Sequence, residues 1–305
     1  MMKKIIALIL VLSLSLFCFA ACKKDKDDTN NDNNDNNNVP TEKTYSLAIA
    51  VDSSVGEDNK VTNYVAVLVL DADSKIVAAR IDCAETTVAL ENGAIKDVAS
   101  VATKVELGDS YAMTSGSFAK QTKAFEDYIV GKNAAEVAAI DLTLVTGCTM
   151  PYSPFSFKTV VAKAFATANK VSFKTSETIT VGASASMKVS EGKATADFAG
   201  VVMAGGKVVA AILDSNEHAF TVADGAIVAG EYTGTKADKG DAYVMPAGNW
   251  KNQAQAFANS AVGKTAAELQ NLEAVSDALA SAGCTMQWTT YGYKATIIKA
   301  ANAAR

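Results

Sequence analysis

The 305-residue sequence contains a single histidine, His218. A histidine-based zinc site, a Ser-His-Asp triad or a Cys-His dyad therefore cannot be repeated in two domains, and most hydrolytic chemistry is excluded by that count alone. Positive charge is also scarce. Against 28 Lys and Arg stand 33 Asp and Glu, for a formal net charge of -5. A mildly acidic surface disfavours a nucleic-acid partner, which needs a basic face to displace counterions. What the chain has in quantity is apolar side chains: 49% of residues are hydrophobic, too many for an intrinsically disordered protein and enough for two ordinary domains.

Part of that apolar fraction belongs to the N-terminus. Met1-Met2-Lys3-Lys4 gives a basic start, and the apolar stretch 5–17 is too short to span a bilayer stably as a helix. It ends in Phe19-Ala20-Ala21-Cys22, small residues leading into a cysteine. This resembles the lipobox of bacterial lipoproteins, which implies removal of residues 1–21 as a signal peptide and diacylation of Cys22. A plain secretory signal cleaved nearby is the alternative. Two acyl chains anchor a protein stably to a lipid bilayer where one does not. Without Lys3 and Lys4 the charge becomes about -7. Residues 22–41 run through Lys23-Lys24-Asp25-Lys26-Asp27-Asp28 into an Asn/Asp tract that cannot bury apolar surface. They are expected to form a flexible tether that leaves the rest outside the cytoplasmic membrane.

From residue 42 the composition is globular, and the sequence is duplicated. Lys75-Ile76-Val77-Ala78-Ala79 returns as Lys207-Val208-Val209-Ala210-Ala211. The same offset carries Asp82 to Asp214, Glu85 to Glu217, Thr103-Lys104 to Thr235-Lys236, Tyr111 to Tyr243, Met113 to Met245 and Phe125 to Phe257. Of the 58 ungapped positions 75–132, 22 are identical in the copy. After a short insertion, Gly147-Cys148-Thr149-Met150 matches Gly283-Cys284-Thr285-Met286. Two units of this length suit two complete domains, 42–170 and 171–305, better than a solenoid.

Each unit carries the same pattern. Alternation at Tyr45, Leu47, Ile49 and Val51 predicts a strand. The runs 64–70 and 75–81 predict a hairpin, and their copies flank Gly205-Gly206, which supplies the positive φ of a short turn. Phe118, Thr122, Phe125 and Ile129 fall on one helical face ending near Gly131, and Trp250, Ala254, Phe257 and Ala261 repeat it. A short segment 134–140 follows. Closing helices are expected at 157–168 and 293–304. Antiparallel strands followed by helices, twice, define an α+β class of two tandem homologous domains, each a twisted antiparallel sheet packed with helices.

Among the repeated residues, Val77, Ala78, Ala124 and Phe125 read as core. Lys104, Asp109, Tyr111 and Met113 sit between sheet and helix, where retained polar types point to a ligand. His218, whose counterpart is Thr86, reads as a surface residue, and Cys83, opposite Ser215, as incidental. For Cys148 and Cys284 three readings stand: an interdomain disulfide, a metal site for which neither unit has the further ligands, or a small semi-apolar residue in a turn before the last helix. The third is favoured.

The order of hairpin, polar loop, helices, Thr-Gly-x-Thr turn and closing helix resembles the FMN-binding domain family, which includes flavin-carrying subunits of sodium-pumping redox complexes and tandem-domain lipoproteins of extracellular electron transfer. Thr146-Gly147-Cys148-Thr149 is similar to the family's turn, and Ala282-Gly283-Cys284-Thr285 matches it in part. The resemblance implies FMN as cofactor, its phosphate at Thr146, Gly147 and Thr149 and at Gly283 and Thr285, with the last Thr of each turn as an attachment point. Backbone N–H groups of a Gly turn and a Thr hydroxyl suit a phosphate, and Lys158 and Lys294 would add positive charge. Tyr111 and Tyr243, with Phe118 and Trp250, are the expected wall for the isoalloxazine ring. The expected function is electron carriage between a membrane redox donor and an external acceptor, with no catalytic constellation. The alternative is a cofactor-free module that binds a ligand or partner.

Overall fold

Runs such as Tyr64-Val65-Ala66-Val67-Leu68-Val69-Leu70 have no polar face because both faces of their strands are covered, and all seven residues are buried. The computed structural model describes residues 41–148, 157–246, 248–272, 284 and 292–305. Cys22 and the tether, and Thr149, Gly283 and Thr285, lie outside the described residues.

The principal elements are β1 (Lys43–Val55), β2 (Lys60–Leu70), β3 (Ile76–Thr87), β4 (Val98–Val101), α1 (Phe118–Ile129), α2 (Ala134–Ala138), α3 (Phe157–Ala166), β5 (Lys170–Thr175), β6 (Ile179–Ser190), β7 (Lys193–Ala204), β8 (Lys207–Ala223), β9 (Ala226–Ala229), α4 (Trp250–Asn259) and α5 (Tyr293–Asn302). The strands form two antiparallel sheets, in the orders β3-β2-β1-β5 and β9-β8-β7-β6-β4. Antiparallel sheets packed with helices make this an α+β fold.

Four layers result. The inner faces of the sheets meet in one core, where Leu47, Ile49, Val65 and Val67 oppose Val181, Phe198, Val202 and Ile212. The outer face of the first sheet packs Ala66, Leu68 and Ile81 under Phe118, Phe125 and Val160 of α1 and α3. The outer face of the second packs Ala199, Val201 and Leu213 under Trp250, Phe257 and Ile297 of α4 and α5. Residues 40–305 form one compact unit. Each half also lends a strand to the other: β5, which begins at the expected 170/171 boundary, pairs with β1, and β4 pairs with β6.

Close approach of the layers needs glycine at Gly182, where an added Cβ would stand 1.7 Å from the Ala300 carbonyl oxygen of α5. The predicted helical face is buried at Phe118, Thr122, Phe125 and Ile129, and Gly131 has φ 81° directly after α1. The closing helices stop two residues short of the expected ends, at Ala166 and Asn302.

Candidate ligand-binding site

The repeated polar residues converge at one end of each helix-covered sheet face. A buried aspartate sets the local structure. Asp82 Oδ1 accepts the amides of Cys83 (2.7 Å) and Val105 (3.1 Å), and Asp214 Oδ1 accepts those of Ser215 (2.8 Å) and Ala237 (3.2 Å). Each therefore pins the loop after the sheet to the long strand that precedes it. Burial raises both carboxyls to about 7, opposed by these hydrogen bonds. The pinned loop presents Lys104 in the first half and Lys236 in the second.

In the first half Lys104 is enclosed. Its Nζ lies 2.8 Å from Glu85 and over the rings of Tyr111 (4.7 Å), Phe118 (5.4 Å) and Tyr64 (5.8 Å). The Tyr111 hydroxyl donates to Glu85 at 2.9 Å, and Lys60 approaches the same carboxylate at 3.2 Å. Burial alone would raise the Glu85 carboxyl, but the bonds and charge of Lys104 outweigh it and hold it low. Tyr111 and Lys104 are thus partnered within the chain.

The second half differs at four positions. Strand register pairs Tyr64 with Cys83 and Asp197 with Ser215, so Asp197 stands where the first half has Tyr64. Ser215 replaces Cys83, Trp250 replaces Phe118, and Tyr293 replaces Phe157. Here an open cavity of about 540 Å³ is lined by Asp197, Tyr243, Trp250 and Tyr293, with Lys188 and Lys193 of the β6–β7 hairpin and the Lys236–Glu217 pair (3.3 Å). Its size is that of ordinary small-molecule sites. Asp197 is 6% exposed, and its Oδ1 has no hydrogen-bond partner. Burial raises the carboxyl to about 7; the Ser215 and Tyr293 hydroxyls moderate the rise, but neither closes a hydrogen bond on Oδ1. The cavity lies against the first turn of α5, since an added Cβ at Gly292, the residue before that helix, would stand 3.1 Å from Asp197 Oδ2.

The other expected site residues are more dispersed. Thr146 and Gly147 are exposed on a turn, with Gly147 at φ 80° and resting against Ala124 of α1. Lys158 is buried, and its ammonium donates to the carbonyls of Ala138 (2.6 Å) and Ile140 (2.8 Å), so that charge serves the end of α2. Lys294 is half-buried in the first turn of α5. Cys148 and Cys284 are buried in separate cores, with no disulfide between them. A shallower depression of about 650 Å³ beside α1 is lined by Lys120, Lys123 and Asp127, but these charges are exposed and Lys120 and Lys123 are already paired with Asp109 and Asp127.

His218 is not on the surface: it is 2% exposed, between the sheets. Its strand is longer than the expected run, so position 218 falls on the inner face of β8. Nε2 lies 2.7 Å from Ser53 Oγ, the ring stacks on Tyr232 at 4.4 Å, and Asn63 and Asn216 complete the network. Burial lowers its pKa to about 4. The incidental cysteine Cys83 is likewise fully buried, under Tyr64 and the helices. Sequence reasoning missed Asp197; its one signal was an acidic residue inside an otherwise apolar strand run.

No protein-family model matches the chain, and no curated protein or solved structure is found similar to it.

Proposed function

We propose that the protein is a membrane-anchored surface lipoprotein, held by acylated Cys22, whose duplicated fold binds FMN and carries electrons between a membrane donor and an external acceptor. The observation that carries this reading is the cavity of about 540 Å³ walled by Tyr243, Trp250 and Tyr293 at the first turn of the closing helix. Aromatic walls suit a flat conjugated ring, and Tyr243 and Trp250 are two of the residues expected from the sequence to wall it. The donor set fits as well: Lys188 and Lys193 stand exposed at the hairpin and would hold a phosphate, and Asp197 offers an unpartnered buried carboxyl to the ring. Bound FMN supplies the redox chemistry; the protein orients it and excludes water.

A second reading has its own support. The cavity mixes Lys188, Lys193 and Lys236 with Glu191, Asp197 and Glu217, a balance that also suits a ligand carrying both charges in a cofactor-free module. Titration of FMN fluorescence against the protein separates them. Saturable quenching is expected for the first reading; an unchanged flavin signal leaves the second. Coexpression with a flavin transferase, followed by mass spectrometry at Thr149 and Thr285, tests covalent attachment.

A further inference from the structure

We infer that the duplication carries one ligand site rather than two, in the second half, and that Asp197 recognises the edge of a flat heterocycle that presents an N–H beside a carbonyl. The inference rests on the flavin reading, because the pyrimidine edge of a flavin is of that kind.

The first half is filled by its own side chains. Tyr64 stands at the position of Asp197, its ring 6.3 Å from that of Phe118, and the Lys104 ammonium lies among Tyr64, Tyr111 and Phe118. A phenol ring and an ammonium thus occupy the place that an incoming aromatic ligand would take. In the second half the phenol is replaced by a carboxyl, several heavy atoms smaller, and Lys236 lies farther out, 5.6 Å from the Tyr243 centroid and 3.3 Å from Glu217.

The character of the floor changes with the volume. Phe118 and Phe157 give way to Trp250 and Tyr293, each bringing a polar atom to the cavity wall, while Ser215 replaces Cys83 across the strand pair from Asp197. A buried carboxyl with an unsatisfied oxygen is costly unless something pairs with it. Among the described residues none closes a hydrogen bond on Oδ1. A ligand N–H at the floor satisfies Oδ1, and a carbonyl beside that N–H can accept from the Tyr293 hydroxyl, which lines the same cavity. With that edge at the floor, Lys188 and Lys193 remain for an anionic tail.

The test is equilibrium titration of the full chain with FMN and with lumiflavin, which has the ring edge but no phosphate. One FMN per chain is expected. Asp197→Leu should weaken both ligands by at least about tenfold, the scale of a lost hydrogen bond to an ionisable group, while Asp197→Asn, which keeps a donor and an acceptor, should stay within about threefold. Asp197→Tyr, which rebuilds the first half's arrangement in the second, should fold and abolish binding; its circular dichroism and melting curve report folding independently. Two FMN per chain, unchanged binding in Asp197→Leu, or an effect on FMN alone would overturn the inference and leave the flavin reading standing. No binding of either flavin to the wild-type chain would overturn that reading and this inference together.

Discussion

Gly182 shows how narrowly the layers are spaced. Its missing side chain lets the backbone of α5 touch β6, and no rotamer change could relieve a Cβ placed 1.7 Å from the Ala300 oxygen. Gly182→Ala should therefore destabilise the protein by about 3 kcal/mol or more, the scale of severe overpacking. Gly206→Ala, at φ 76° with open space around it, should cost only about 1 kcal/mol. Comparison of guanidinium midpoints checks the contrast. His218 gives a prediction with a sign. Its folded pKa of about 4 lies below the ordinary 6.5, so the folded state refuses a proton that the unfolded chain accepts. Its contribution is full above pH 6.5 and lost as pH falls towards 4, by about 2 kcal/mol after allowance for screening. His218→Gln should remove that part of the acid sensitivity in melting curves between pH 6.5 and 4.5. The burial of His218 was not legible from an alignment with Thr86, because a shared position does not report how far a strand extends.

At the scale of elements, the helices were the easiest to read. One apolar face at Phe118, Thr122, Phe125 and Ile129 specifies both the helix and the side it buries. The two hairpins, β2 with β3 and β7 with β8, were legible, but β4, β5 and β6 were not. β4 and β5 are short edge strands with few buried residues, so they gave no sign of joining the opposite halves' sheets. Asp197 was hidden by a turn: the second hairpin is one residue shorter than the first, and an ungapped offset sets Asp197 against Val65 when strand register sets it against Tyr64. The loops that present Lys104 and Lys236 depend on their pinning aspartates. Asp214→Ala strips the acceptor from the Ser215 and Ala237 amides at a site 2% exposed. It should cost about 2–3 kcal/mol and loosen residues 235–246, which carry Lys236 and Tyr243. Faster amide exchange confined to that loop, with flavin affinity reduced, is the expected result.

The whole molecule behaves as one body because its halves share a core and exchange strands. The links continue along the seam: Arg305 bonds Glu126 at 2.9 Å, and Lys299 pairs with Glu106 at 2.9 Å. Guanidinium unfolding of the chain should follow one transition, coincident by tryptophan fluorescence and far-ultraviolet dichroism. Two separated transitions would show independently stable halves. The charge balance of the interior also acts globally. Asp82, Asp197 and Asp214 are pushed up to about 7, so the folded state holds protons that the unfolded chain releases above pH 3.8. Their contribution is full below pH 3.8 and lost as pH rises through 7, opposite in sign to that of His218. Three groups outweigh one, and the melting temperature should be higher at pH 5 than at pH 8. Asp197→Asn should flatten that dependence.

The central claim is that a flat aromatic ligand binds in the second half, against Tyr243, Trp250 and Tyr293. Hydrogen-exchange mass spectrometry of the chain with and without saturating FMN tests it most directly. The account predicts slowed exchange in peptides covering residues 188–197, 236–250 and 292–297, with peptides covering 60–64 and 104–118 unchanged. Protection confined to the first half, or none anywhere, would contradict it.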